Sequence, residues 1–412
     1  MRHLCVASAS RLPPFALALF LGACASEALP TGAEKRPVGP AENPDQSVAA
    51  LLGAGQAGAP TFVTIYDPSD DDSGRPLSPT ALAWNPTEPD ELWITLREPL
   101  SDRTCNHDTQ IACTWLQGRV AIVTGSASAP GVPPRVEMKE DHNAWHFMRL
   151  PSALAFGADD TFATCGEART GNYDDESVPF IGPVLWSADP AIFGTTPPPE
   201  IKTGSTHIDM LHESPFCMGI AHETANVYWA FNGDVGSLDR YDFHAPHQPG
   251  GDDHKDGEVW RYVAGSLARV PGVPSHLAYD PATFILYAAD TGHGRIVALD
   301  TLTGTADGPI PTYEPLQSNT NMAGATLSDL VPPGLLTDPT GLTLYRGVLF
   351  VTDYSSSRVF AFDRAGRTLA TLDTGLPAGS LGGIAIGPDG RAYLTDHSTG
   401  RVLRVDPAAS PQ

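Results

Sequence analysis

Three stretches decide the fold: Asp290-Thr-Gly-His-Gly-Arg295-Ile-Val-Ala-Leu-Asp300, Asp353-Tyr-Ser-Ser-Ser-Arg358-Val-Phe-Ala-Phe-Asp363 and Asp396-His-Ser-Thr-Gly-Arg401-Val-Leu-Arg-Val-Asp406. They align without gaps, with Arg five residues and a second Asp ten residues after the first Asp. Each follows a β-rich run: Leu286-Tyr-Ala-Ala289, Leu349-Phe-Val-Thr352 and Ala392-Tyr-Leu-Thr395. Alternating apolar residues on both sides of a Gly/Ser-rich turn describe a hairpin. Upstream of each lies a further strand start, at Pro274-Ser-His-Leu-Ala-Tyr279, Pro339-Thr-Gly-Leu-Thr-Leu344 and Leu381-Gly-Gly-Ile-Ala-Ile386.

Working outward, weaker copies begin at Pro79-Thr-Ala-Leu-Ala-Trp84, Pro151-Ser-Ala-Leu-Ala-Phe156 and Pro215-Phe-Cys-Met-Gly-Ile220. Repeats therefore start at 79, 151, 215, 274, 339 and 381, between 42 and 72 residues apart. Units of this size, each unable to bury its own apolar faces, predict an all-β, six-bladed propeller of four-stranded antiparallel blades over residues 59–412. The last repeat ends at Asp406 after three strands. Thr61-Phe-Val-Thr-Ile-Tyr66 is an orphan strand of high β propensity. It is expected to supply the missing outer strand and so close the ring, removing two sheet edges at once. The segment Tyr287-Ala-Ala-Asp-Thr-Gly-His-Gly-Arg-Ile296 resembles the NHL repeat, whose family form runs like VADSGNHRI. The resemblance covers the three C-terminal blades well and the others loosely. It implies a six-bladed propeller, a scaffold shared by binding modules and enzymes, so function has to be argued from sites.

The 412 residues carry 48 acidic and 25 basic side chains, a net charge of −23. Nucleic acid and anionic membrane surfaces would repel such a chain. Residues 1–23 read as an export signal, with Arg2 and Arg11 supplying a positive region before a short apolar run, Phe15 to Leu21. That run is too short to span a bilayer. It ends in Leu21-Gly22-Ala23-Cys24, which resembles the bacterial lipobox. The resemblance implies lipidation of Cys24 and, with Ala25 and Ser26 following, anchoring to the outer membrane as the only membrane contact, on its periplasmic or cell-surface side. Ordinary cleavage after Ala23 or Ala25 is the alternative. Residues 24–58, rich in Gly, Pro, Ala and Ser without periodicity, read as a flexible tether. Of the six cysteines, Cys105, Cys113, Cys165 and Cys217 remain for an oxidising compartment and allow three pairings. The favoured pairing is Cys105–Cys113 and Cys165–Cys217. No Cys-x-x-Cys is present, so neither a haem attachment site nor a zinc ribbon is supported.

In NHL-like propellers the b–c turns and the starts of the inner strands share one rim. His146, His212 and His276 stand near inner-strand starts and are candidate ligands for a transition metal at the central funnel, since three imidazoles suffice for an open site. His207 stands close by, and the alternative is chance scatter of thirteen histidines. The peptidylglycine amidating lyases, also propellers, place zinc-binding histidines directly after the strand-starting prolines. Here Thr80, Ser152, Phe216, Ser275 and Thr340 hold those places, with Gly382 in the sixth blade, so that tripod is absent. The hydroxyl residues among them suit a small polar ligand instead. Gluconolactonase-like and strictosidine-synthase-like propellers are similar in shape, but no metal or catalytic motif of theirs aligns. Glu167 and Arg169 form a candidate acid–base pair pinned by the Cys165–Cys217 bridge, or a plain rim salt bridge. Asp252, His254 and Asp256 partly match a calcium loop, with Val263 where the bidentate Glu belongs. The alternative is a solvated insertion. As a c–d connection, residues 244–257 are expected on the rim opposite the other histidines, forming a separate site.

These features describe a lipid-anchored cell-envelope propeller that binds a small polar ligand or an envelope protein on its axial rim. The rival reading is a metal-dependent lyase or hydrolase with a histidine-rich funnel.

Overall fold

The computed structural model describes residues 50–53, 59–71, 73–97, 117–127, 133–171, 178–196 and 204–406. The signal segment, Cys24, most of the tether and the Cys105–Cys113 pairing lie outside the described residues. After β1 (Thr61–Tyr66) the chain forms the first blade from β2 (Ser78–Trp84), β3 (Glu91–Arg97), β4 (Arg119–Thr124) and β5 (Arg135–Lys139). A short helix, α1 (Ala144–Phe147), leads into the second, β6 (Pro151–Phe156), β7 (Thr161–Gly166), β8 (Val184–Ser187) and β9 (His207–Met210). The third holds β10 (Cys217–Thr224), β11 (Val227–Asn232), β12 (Ser237–Asp242) and β13 (Glu258–Tyr262).

Blade four uses β14 (Leu277–Asp280), β15 (Ile285–Asp290), β16 (Arg295–Asp300) and β19 (Thr326–Val331). Between its last two strands a hairpin, β17 (Thr305–Pro309) and β18 (Ser318–Ala323), crosses over and pairs β18 parallel to β13. The third sheet therefore has six strands, where the repeat spacing predicts four. Blade five is β20 (Pro339–Tyr345), β21 (Val348–Asp353), β22 (Arg358–Phe362) and β23 (Thr368–Asp373). Blade six is β24 (Leu381–Ile386), β25 (Ala392–Asp396) and β26 (Arg401–Asp406), with β1 antiparallel to β26 from the Thr61–Asp406 pair onward. The closure expected from the orphan strand is present. Among the described residues no helix is long and apolar enough to cross a membrane.

The core is six apolar clusters, one between each pair of neighbouring blades. Period-two alternation makes this work. On β11, Tyr228 and Ala230 pack toward blade two, while Trp229 and Phe231 pack toward blade four. Small residues let the inner strands approach: a Cβ on Gly219 would collide with the Ser275 carbonyl, and one on Gly341 with that of Gly382. The disulfide joins Cys165 on β7 to Cys217 on β10, Cα atoms 5.4 Å apart, as the favoured pairing requires.

The repeated aspartates cap their b–c turns. Asp353 accepts from Ser356 N at 2.9 Å and Asp396 from Ser398 N at 3.0 Å. Pairing of Asp with the Arg five residues on occurs only in blade four, Asp290–Arg295 at 2.6 Å. Arg358 instead meets Asp373, and Arg401 meets Asp67 beyond the closing strand, because a guanidinium reaches sideways to whichever outer carboxylate is nearest.

Candidate functional site

The hydroxyls at the inner-strand starts face neighbouring blades. Thr80 Oγ1 donates to Pro151 O at 2.9 Å and Ser152 Oγ to Cys217 O at 2.5 Å. Ser275 Oγ meets Thr291 Oγ1, which donates to Pro339 O at 2.6 Å. These side chains are fully buried and stitch the ring, so most of the polar lining expected for a ligand at this rim is consumed by the fold; Thr340 is equally buried, but its Oγ1 has no partner.

Ionic groups plug the same end of the axis. Arg97 ends β3 in blade one. Its Nη2 donates to Gly272 O at 2.7 Å, on the segment leading into blade four, diametrically opposite. Glu167 lies between them. Its carboxylate accepts from Arg97 Nη1 at 3.0 Å, Arg269 Nη1 at 2.8 Å and Gly272 N at 2.9 Å. With Arg97 4% and Glu167 3% exposed, the knot is sealed from water. Arg169 is turned away and pairs with Asp234 at 2.6 Å, on the surface. The structure therefore does not bring Glu167 and Arg169 together as a pair. His276 sits beside this knot with Nε2 3.1 Å from Ser152 O, and burial lowers its pKa to about 4. Burial, reinforced by Arg97, takes His397 down to about 3.

The opposite half of the inner strands walls a cavity of about 340 Å³. Alanines on five of the strands, Ala83, Ala155, Ala221, Ala278 and Ala385 among them, leave the room, and Trp84, Phe156, His222 and Tyr279 stand toward the strand ends around it. The Trp84 Nε1–H is buried and has no hydrogen-bond partner. A concave space of this size, lined by apolar side chains and by polar atoms in comparable measure, falls in the range of small-molecule sites. The aromatic residue closing three of the six inner-strand motifs, Trp84, Phe156 and Tyr279, was the available sequence signal for it.

The remaining candidate residues meet elsewhere. His146 on α1 and His212, which follows β9, have ring centroids 5.8 Å apart, and His212 lies 6.0 Å from His254. None of the three is near His276, so the histidines proposed for a funnel metal are divided between the axis and the outer flank of blade two. His254 is on the flank because its loop does not stay on the far rim. Residues 244–257 fold back along the edge of β9, His247 N donating to Ile208 O at 3.0 Å and Gly250 N to His207 O at 2.7 Å. The two groups of histidines that the hairpin topology separates thus form one cluster. Asp256 accepts from Ala245 N and Asp252 is exposed. Among the described residues, no convergent group of metal-binding atoms includes either aspartate.

Sequence reasoning missed Glu314, in the turn between β17 and β18. Its carboxylate receives His212 Nδ1 at 2.9 Å and His254 Nδ1 at 3.4 Å. Burial opposes charge on Glu314, but these two hydrogen bonds outweigh it and bring its pKa to about 2. Burial likewise works against charge on His254, where the Glu314 bond and the Asp209 carboxylate prevail and raise its pKa. Burial and neighbouring rings hold His146 near 4 and push His207 well down. Burial lifts Asp209 to about 7.

No family model and no curated protein matches this chain. Its fold is similar to that of an auxiliary nutrient-binding protein of Bacteroides ovatus. The TM-score is 0.50 at 11% identity, over 84% of this chain and 76% of that one. A luciferin-regenerating enzyme aligns with a TM-score of 0.44 at 14% identity, over 85% of this chain and 96% of that one. A gluconolactonase of Xanthomonas campestris gives 0.42 at 15%, over 87% and 92%. At 11% identity the likeness to the Bacteroides protein is one of fold.

Proposed function

We propose that this chain is an exported binding propeller, held at the bacterial outer membrane through Cys24, that takes a small ligand with an apolar body in the funnel cavity. The carrying observation is the cavity of about 340 Å³ walled by all six inner strands and lined by both apolar side chains and polar atoms. The ligand class that matches is a compact amphipathic molecule, its apolar body against the alanines and aromatic rings and its polar groups against the polar part of the wall. The sealed polar rim supports placing it at this end and not at the end closed by the Arg97–Glu167 knot. The Cys165–Cys217 bridge, buried between blades, suits an oxidising compartment.

Binding is tested by titrating the protein with an apolar fluorescent probe, anilinonaphthalene sulfonate, and then with small apolar alcohols and ketones as competitors. Saturable binding lost in Ala155→Trp, which fills the cavity, is the expected result. Equal binding by the filled variant, at an unchanged melting temperature, would refute the assignment. Anchoring is read separately by radiolabelled palmitate incorporation, expected in the wild type and absent in Cys24→Ser.

A further inference from the structure

The flank cluster is assembled from three separate stretches: β9 and its continuation supply His207 and His212, the 244–257 loop supplies His247 and His254, and the β17–β18 turn supplies Glu314. One ring nitrogen from each of His207, His247 and His254 lies within 4.8 Å of the others. His207 is 1% exposed and stacks on Phe147 at 3.9 Å. His212 stacks on Phe180 at 3.8 Å, so these two rings are fixed by packing.

The Nδ1 sides are occupied. His247 Nδ1 lies 2.8 Å from Gln248 O and His207 Nδ1 3.2 Å from Ser205 Oγ, while His212 and His254 share Glu314. Carbonyl and carboxylate oxygens only accept, so Nδ1 carries the proton in His212, His247 and His254, and each neutral ring has its lone pair on Nε2. The Nε2 atoms of His207, His212, His247 and His254 are all buried and all lack a partner. A buried polar atom without a partner is costly, and four in one cluster is not a packing accident. In His212, His247 and His254 these atoms are acceptors only, so they cannot satisfy one another. A single cation would satisfy several at once.

We infer that His207, His247 and His254 bind a divalent transition-metal ion of the zinc, nickel or copper class through Nε2. Imidazole donors select these metals over calcium and magnesium, which prefer oxygen. Glu314 then orients His254 from behind, in the carboxylate–histidine–metal arrangement, and ties in His212, whose Nε2 is the further nitrogen at hand. Asp209, whose Oδ2 is also buried and unpartnered, lies nearby. The site is closed and sits on the outer flank, apart from the funnel. Its role is to fasten the 244–257 loop and the β17–β18 insertion onto the short edge strand β9.

The test uses the full chain without a histidine tag, stripped with a chelator and titrated with ZnCl2 by calorimetry, with CoCl2 as a visible-absorption probe of nitrogen ligation. One high-affinity equivalent and a rise in melting temperature with added Zn2+ are expected. His247→Gln and His254→Gln, both on the partly exposed loop, should each abolish that equivalent while leaving the metal-free melting temperature close to wild type. Glu314→Gln, acting through the rings it orients, should weaken binding by about 10- to 100-fold. His244→Ala removes the exposed Asp242–His244–Glu258 group and should change nothing. A chain that binds no Zn2+ and shows no Co2+ spectrum overturns the inference. So does binding that survives His247→Gln combined with His254→Gln, or that disappears in His244→Ala.

Discussion

Removing the Glu167 carboxylate leaves two arginines without their anion. Arg97 keeps only the Gly272 carbonyl, inside a site from which water is excluded. Breaking a buried ion pair from one side costs about 3–5 kcal/mol, because the surviving charge stays desolvated. The Gly272 amide also loses its acceptor, at about 1–3 kcal/mol. Partial relaxation of Arg269, itself part-exposed and stacked 4.0 Å over Phe216, returns some of this. Glu167→Ala is therefore expected to lose about 4 kcal/mol of stability. Glu167→Gln keeps an acceptor for Gly272 and should lose roughly half as much. Replacing both partners, Arg97→Met with Glu167→Leu, should be milder than Glu167→Ala alone, since no charge is left stranded. Guanidinium unfolding followed by circular dichroism and by tryptophan fluorescence gives the comparison, coincident curves licensing the two-state treatment. A Glu167→Ala loss below 1 kcal/mol, or a double variant worse than the single, would refute the account of a sealed axial knot.

Deleting residues 61–66 should abolish cooperative unfolding, whereas deleting 25–49 should leave the melting curve unchanged; calorimetry decides. Cys165→Ala with Cys217→Ala opens a link between residues 52 apart, and the chain-entropy relation gives a loss of about 4 kcal/mol, measured as a shift in denaturant midpoint. Stability should fall on acidification. His276 and His397 have folded pKa values of about 4 and about 3, below the unfolded 6.5, so the unfolded chain takes protons first. Their contribution is complete above pH 6.5 and is lost as pH drops toward 4, His276 accounting for about 3 kcal/mol at most. Melting temperatures between pH 8 and 5 should show that slope, flattened in His276→Gln; an unchanged slope would remove the cause.

The fold was legible because it repeats. The Asp290, Asp353 and Asp396 turns share one geometry, and the deficit of one strand after Asp406 pointed directly at Thr61–Tyr66. The Cys165–Cys217 bridge was the favoured one of the pairings that four cysteines allow, and it is present. The site was less legible because it depends on what does not repeat. Hairpin topology puts the 244–257 loop on the far rim, but β9 is only four residues long and offers the loop an unpaired edge. That edge draws His247 and His254 to His207. Glu314 comes from an insertion in blade four that docks on blade three, an exchange between blades with no local sequence signature. The inner-strand hydroxyls were visible, but their use was not, since a hydroxyl near an axis serves a ligand and a neighbouring carbonyl equally well.

The crossing of β17–β18 onto β13 makes the ring mechanically uneven. The cystine couples the second unit to the third, the borrowed hairpin couples the third to the fourth, and the Arg97–Glu167 contact ties the first into the same arc. Outside that arc the seam at β1 is held by a backbone ladder, the buried Ile65 and Tyr66 and the solvent-exposed Asp67–Arg401 pair, with neither a disulfide nor an exchanged hairpin. Fraying under heat, force or protease should therefore start at the fifth and sixth units, with the reinforced arc outlasting them.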